Sequence, residues 1–156
     1  MEQLKKSENV AVQVTKPDHP AFFDPTELPW SPWVLEGTWF KLLRVDRKTG
    51  GFSMLLKVEP GNEAPIHGHL GAVEAYVIDG EFGYDDDRGG AGSYVYEEAG
   101  SIHMPTSPDG VVMFAVAHGP LVGYNDDGSV AAIVDGKLMY QLARENDAAD
   151  HIYDGY

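Results

Sequence analysis

The chain has 156 residues, enough for one domain with a hydrophobic core, and its formal net charge of -14 argues against nucleic acid and anionic membranes as partners. It has no cysteine, which excludes disulfides and thiolate metal sites, so any metal must be held by histidine and carboxylate. No apolar run approaches the roughly 20 residues of a membrane span, and the N-terminus has no apolar signal region, so we expect a cytoplasmic protein.

Residues 1–37 are predicted to form an extended arm. The stretch "TKPDHPAFFDPTELPWSPW" contains five prolines, which forbid a long helix. Its aromatic residues are too apolar for a disordered tail, so the arm should pack over the domain or onto a neighbouring subunit. Because an arm gains most by covering the edge strands of a partner, we expect a homo-oligomer, either a dimer or a tetramer.

Residues 38–136 are predicted to form a β-barrel. The segments "WFKLLRVD" and "FSMLLKVEP" flank the glycine-containing turn "RKTGG", and further short apolar segments follow between glycine-rich turns. In the second segment Phe52, Met54, Leu56 and Val58 alternate with other residues and should face inward.

Residues 137–156 are predicted to form a short helix and tail, with Leu138, Leu142 and Ala143 on one side of the helix. Many short strands followed by one helix indicate a single all-β domain, either a sandwich or a jelly-roll barrel.

Two histidines stand one residue apart in "APIHGHLGAVEAYVIDG". In a strand, His67 and His69 would project to the same face, where two neutral imidazoles form half of a metal site. His103, in "GSIHMPTSP", is a third candidate ligand, and Glu74 lies close by in sequence. Neutral imidazole suits iron, zinc, nickel and copper. A single histidine is more often a hydrogen-bonded core or surface residue than a metal ligand. The spacing of the pair favours a metal site more than either histidine does alone, and both readings stay open at this point.

The spacing of these residues resembles the cupin superfamily. Its first motif, G-x5-H-x-H-x(3–4)-E-x6-G, is matched by Gly61, His67, His69, Glu74 and Gly80, with five rather than six residues before the last glycine. Its second motif, G-x5-P-x-G-x2-H-x3-N, is matched at its two glycines and its histidine, whereas glutamate and serine replace the proline and asparagine. The resemblance implies a double-stranded β-helix with the metal inside the barrel.

The chain is also similar to cupin dioxygenases that cleave acetylacetone and other β-diketones, or 2,4'-dihydroxyacetophenone. The shared features include "HGPLVGYNDDGSVAAIV", with its Gly-Pro-Leu segment and aspartate-rich turn. The likeness implies Fe(II) held by His67, His69 and His103, with Zn(II) or Ni(II) as other options, and a small neutral carbonyl substrate together with O2. Related cupins include the metal-binding domains of anti-sigma factors, so a non-catalytic sensor is an alternative, as is a Zn-dependent isomerase or hydrolase.

Two carboxylates and five apolar residues complete the predicted site. Glu97, six residues before His103, could orient a ligand or accept the proton lost on enolisation, or else be a solvated turn residue. Glu74 is predicted to be a ligand, a hydrogen-bond partner of a ligand, or a turn residue. The expected pocket walls are Phe52, Met54, Tyr76, Ile78 and Phe114, with plain core packing as the alternative for each.

The remaining histidines are predicted to stand outside the site. His118 is expected to serve a turn, and His19 and His151 are expected on the surface.

Overall fold

The computed structural model describes residue 13, residues 15–153 and residue 156; the rest of the predicted arm and tail lies outside the described residues. The fold is antiparallel β-structure in two sheets that curl against each other, which confirms the predicted all-β fold class. The strands are β1 (Ser31–Pro32), β2 (Thr38–Val45), β3 (Phe52–Val58), β4 (Asn62–Glu63), β5 (His67–His69), β6 (Val73–Tyr84), β7 (Asp87–Gly90), β8 (Tyr94–Glu97), β9 (Ile102–His103), β10 (Thr106–Ser107), β11 (Val111–Ala117), β12 (Leu121–Tyr124) and β13 (Val130–Val134).

The larger sheet has nine strands, and the long strand β6 organises it. Strands β1, β2, β3, β11 and β6 follow one another in the sheet, with β8 also paired to the first half of β6. The second half of β6 pairs with β7 and β10 instead. Gly80 stands where β6 changes partners, with a φ of 73° that favours glycine.

The smaller sheet has four strands in the order β13, β12, β5, β9. Strand β5 is central, and it pairs with β12 on one side and with the two-residue strand β9 on the other. The space between the two sheets is therefore bounded on one side by β5, the strand that contains the paired histidines.

Alternate residues of the central strands of the larger sheet fill the space between the sheets. Each of these side chains is at least nine-tenths buried, and transfer of such a group from water stabilises the fold by about 1.5–3 kcal/mol for the larger ones. They are Phe52, Met54, Val73, Ala75, Val77, Met113, Ala115 and Ala117.

The segment from Pro25 to Trp33 packs on its own domain, one of the two arrangements expected for the arm. The ring N–H of Trp33 donates to the sulfur of Met139 at 3.1 Å. The ammonium of Lys41 donates to the Pro25 carbonyl at 2.9 Å and lies 5.0 Å from the centroid of the Trp30 ring. The homo-oligomer predicted from the arm stays a prediction.

The C-terminal helix α1 (Gly136–Glu145) begins at Asp135, whose carboxylate accepts a hydrogen bond from the Leu138 N–H at 2.9 Å. Its buried side is centred on Met139 and Ala143, with Leu138 only partly buried. At ten residues, this helix is too short to cross a membrane, and no other helix in the described residues could do so.

His151, predicted to lie on the surface, is partly buried after the helix. Its ring Nε2 donates to the Leu42 carbonyl at 2.7 Å, which ties the end of the chain to β2. The sequence prediction was wrong because a position near a chain end does not indicate whether the end docks on the domain.

We expect Gly80→Ala to destabilise the protein by more than 2 kcal/mol. A Cβ there would stand 2.0 Å from the Gly110 carbonyl oxygen, in addition to the cost of about 1–2 kcal/mol for a left-handed residue with a side chain. Gly128→Ala is the matched control, since its φ is 81° and a Cβ there meets nothing within 4 Å. Urea unfolding measures both variants, and equal losses would contradict the predicted clash.

Candidate metal centre

The pairing of β5 with β9 brings three histidines together. His67 lies directly opposite His103 in this antiparallel pair, so the two side chains leave the same face of the sheet. His69 is two residues further along β5 and therefore projects to that face as well. One ring nitrogen from each lies within 4.8 Å of the other two.

Two nitrogens of this cluster have the separation expected for two ligands of one transition-metal ion. The Nε2 atoms of His69 and His103 are 3.1 Å apart. Two nitrogens bound to one ion at about 2.0–2.1 Å stand roughly 3 Å apart when the bonds form a near right angle. The Nδ1 of His67 is 3.0 Å from the Pro65 carbonyl, which fixes the proton on Nδ1 and leaves Nε2 free to bind a metal. The three histidines are thus the residues that could hold the ion.

Burial keeps all three imidazoles neutral, the form that binds a metal. Burial lowers the pKa of His69 to about 4, with a further contribution from His103 and His67. Burial, and then the neighbouring His67, likewise lowers the pKa of His103 to about 4. The pKa of His67 is also lowered by burial, against the opposing effect of its hydrogen bond to Pro65. At neutral pH, none of the three rings therefore has to lose the positive charge of an imidazolium before it binds a metal.

Glu97 stands beside the histidines at the end of β8. Its carboxylate oxygens lie 3.6 Å from Nδ1 of His69 and 3.6 Å from Nε2 of His103, and its side chain is 11% exposed. Burial raises the pKa of Glu97 to about 7, so a change in nearby charge can switch it between its acidic and basic forms near neutral pH. In the part of the chain that the structure describes, the buried Nδ1 of His69 has no hydrogen-bond partner, and a carboxylate oxygen of Glu97 lies near it.

A cavity of about 120 Å³ extends from His67 and His69 into the space between the sheets. Phe52 and Met54, both predicted to line the pocket, are on its wall. Small side chains of β6 and β11 leave much of the cavity volume open. Ala75 stands directly opposite Ala115 in the strand register. Walls of this kind exclude water while offering few polar contacts of their own.

Tyr76, Ile78 and Phe114 do not line the cavity, which corrects the sequence prediction. They are 50%, 49% and 39% exposed on the outer face of the larger sheet. Strand β6 is apolar on both faces over this stretch, and the prediction placed its larger residues inside. A slip of one residue exchanges the two faces of a strand. The small residues, such as Ala75, are the ones that face inward.

Glu74 is also on the outer face, so it is neither a metal ligand nor a partner of one. It accepts hydrogen bonds from the Tyr94 hydroxyl and from Nε2 of His118, each at 2.6 Å. Both hydrogen bonds lower the pKa of Glu74, and the bond from the Tyr94 hydroxyl has the larger effect. His118, predicted to serve a turn, instead completes this outer cluster. Because Glu74 is polar, its position in the sequence already indicated that the even-numbered residues in this part of β6 face solvent.

Gly68 separates the two histidines of β5 for a reason that the sequence did not reveal. A Cβ at Gly68 would stand 3.0 Å from the hydroxyl and 3.2 Å from a ring carbon of Tyr124. The Tyr124 ring therefore occupies the outer face of β5, opposite the side from which His67 and His69 project.

We expect alanine at His67, His69 or His103 to lower the affinity for Zn(II) or Co(II) by at least about 100-fold, because two imidazoles cannot replace three. Isothermal titration calorimetry on metal-free protein measures the change. His118→Ala and Glu74→Gln are matched controls on the outer face, and both should bind metal like the wild type. A loss in either control equal to that of the triad variants would contradict this placement.

Glu97→Gln should stabilise the metal-free protein at high pH. Because the pKa of Glu97 rises from 4.5 to about 7 on folding, its contribution to stability is present below pH 4.5 and is lost as the pH rises through 7. Glutamine does not ionise. The free energy of unfolding of Glu97→Gln, relative to that of the wild type, should therefore rise by about 3 kcal/mol across that range. Urea unfolding in EDTA at several pH values measures it, with the exposed Glu98→Gln as control. If the difference in unfolding free energy between Glu97→Gln and the wild type did not change with pH, the raised pKa of Glu97 would be refuted.

Comparisons with known proteins agree with this architecture. The family described as the ChrR cupin-like domain matches residues 18–122. An RmlC-like cupin protein from Ralstonia eutropha JMP134 is 28% identical, covers 83% of this chain and 88% of that chain, and superposes with a TM-score of 0.76. No curated protein matches the sequence.

Two further structures share the fold. An acetylacetone dioxygenase from Acinetobacter johnsonii is 17% identical over 88% of this chain and 99% of that chain, with a TM-score of 0.72. The Rhodobacter sphaeroides complex of SigE with the anti-sigma ChrR matches 58% of this chain and 50% of that chain at 24% identity, with a TM-score of 0.50. On the family match and the cupin fold, the chain belongs to the ChrR cupin-like domain family.

Proposed function

We propose that the protein is an Fe(II)-dependent dioxygenase that cleaves a carbon–carbon bond of a small enolisable diketone or hydroxyketone. The observation that carries this proposal is a cluster of three neutral imidazoles and one buried carboxylate, of which His67, His69 and Glu97 line an apolar cavity of about 120 Å³. The proposal keeps the cytoplasmic location and the homo-oligomer expected from the sequence.

The ligand set favours an anionic substrate that chelates. Three neutral imidazoles leave the full double positive charge of a divalent ion, whereas a site with one carboxylate ligand carries one unit less. Bound Fe(II) would supply Lewis acidity toward the enol and redox chemistry toward O2. The apolar wall that includes Phe52, Met54 and Leu121 keeps bulk water out, so the charge of the site acts on the substrate without solvent screening.

Glu97 is the residue that would accept the proton from the substrate. Enolisation breaks one C–H bond of a carbon next to a carbonyl group, and a carboxylate oxygen of Glu97 would take the proton released. A base of raised pKa holds that proton well, and its proximity to His69 and His103 places it beside the metal position. The proton can return to a product oxygen after cleavage.

The overall reaction balances without a further reagent. Both oxygen atoms of O2 enter the two carbonyl products, and the two electron pairs that O2 accepts come from the substrate. No external reductant is therefore required.

A second candidate is a non-catalytic metal-binding sensor. The family is named for ChrR, and the anti-sigma ChrR in its complex with SigE shares the fold of this chain. Such a sensor would need the three histidines but not a buried proton acceptor, so Glu97 favours the enzyme. A zinc-dependent isomerase or hydrolase would use the same ligands with a different ion.

We expect Fe(II)-loaded protein to consume one O2 for each molecule of acetylacetone or of a hydroxyacetophenone that it cleaves. Glu97→Gln should lower kcat by about 100-fold or more, since proton transfer by a positioned base contributes about 10²–10⁴-fold. An oxygen electrode with product analysis by mass spectrometry makes the measurement.

The Glu74→Gln variant is the matched carboxylate control and should retain full activity. Metal binding without oxygen uptake for any enolisable substrate would refute the dioxygenase and favour the sensor. Turnover with Zn(II) and no dependence on O2 would favour the isomerase or hydrolase instead.

A further inference from the structure

Tyr84 packs its ring against His103. The two ring centroids are 4.7 Å apart and the planes are inclined by 29°, an arrangement close to stacked. Tyr84 is the last residue of β6, where it pairs with Asp87 at the start of β7. The contact therefore joins the long central strand of the larger sheet to a histidine of the smaller sheet.

His103 is the candidate ligand whose backbone is held least firmly. It ends β9, a strand of two residues at the edge of the smaller sheet, paired with β5 alone. His67 and His69, by contrast, lie on the strand between β12 and β9. A short edge strand leaves the direction of its side chain to the packing around it.

The neighbouring histidines contact His103 in a different way from Tyr84. Their rings stand roughly perpendicular to the ring of His103, at centroid distances of 4.8 Å for His67 and 4.6 Å for His69. The Nε2 atoms of His103 and His69 are 3.1 Å apart, close enough for the N–H of one neutral ring to donate to the nitrogen of the other. Tyr84 lies against the flat face of His103 and so restrains rotation about its side-chain bonds.

Among the residues that the structure describes, the buried hydroxyl of Tyr84 has no hydrogen-bond partner. Leaving a buried hydroxyl unsatisfied is unfavourable, whereas a phenyl ring could make the same stack without that loss. The ring and the hydroxyl can therefore be separated by substitution, since phenylalanine keeps the first and removes the second.

We propose that Tyr84 is a positioning residue for the metal centre. Its ring holds the His103 imidazole in the plane that directs Nε2 toward the point shared with His67 and His69. The inference rests on the metal centre of the proposed function, and it holds whether or not the bound ion performs oxygen chemistry.

Tyr84→Leu and Tyr84→Phe test the proposal. Without the stack, Tyr84→Leu should lower the affinity of metal-free protein for Co(II) by about 10-fold to 100-fold, the usual effect of losing a residue that orients a ligand. Its Co(II) absorption spectrum should change in intensity and position, because the geometry of the third ligand is no longer fixed. Tyr84→Phe should bind Co(II) with wild-type affinity and spectrum.

Nuclear magnetic resonance of the metal-free protein gives a readout that needs no metal. The ring protons of His103 should lose their ring-current shift in Tyr84→Leu and keep it in Tyr84→Phe. If leucine prevents folding, Tyr84→Met takes its place, since its unbranched side chain fills the space without a ring.

Wild-type affinity and spectrum in Tyr84→Leu would overturn the proposal while leaving the metal centre intact. An equal loss in Tyr84→Phe and Tyr84→Leu would also overturn it, because the hydroxyl and not the stack would then be responsible. If the wild type bound no Co(II), the metal centre and this inference would fail together. Absence of oxygen uptake by a protein that binds Co(II) would refute the dioxygenase alone.

Discussion

The antiparallel register between β5 and β9 is the constraint on which the site depends. It sets His67 opposite His103, and the pleat of β5 adds His69 to the same face. A shift of one residue in this register would turn His103 to the outside and leave two ligands. The same pairing brings the Nε2 atoms of His69 and His103 to 3.1 Å from each other, a separation that suits two ligands of one metal ion.

Small residues on the inner face give the site its working space. Ala75 and Ala115 oppose each other where larger residues would close the cavity, and Ala117 continues the same row. The larger residues Tyr76 and Phe114 lie on the outer face of those strands instead. The interior therefore buries less apolar surface than a filled core would, and it contains an apolar cavity beside the histidines.

The histidine cluster and the all-β fold could be predicted from the sequence because both depend on local signals. An alternating pair of histidines defines its own geometry on any strand, and short apolar segments between glycines indicate β-structure. The direction of β6 could not be predicted, since Tyr76, Val77 and Ile78 are apolar in succession and only packing against the second sheet decides which face is buried. Tyr84 was missed for a related reason: its contact with His103 joins residues of different sheets.

Glu74 and Glu97 show why a motif position is a weaker guide than geometry. Glu74 occupies the glutamate position of the cupin motif, yet in this chain it bonds to Tyr94 and His118 outside the barrel. Glu97 has no motif position, but it is buried next to two of the histidines. In the proposed function, Glu97 would stay outside the ligand set, leave the charge of the ion undiminished and remain free to exchange a proton. The activation of a neutral carbonyl compound would use both properties.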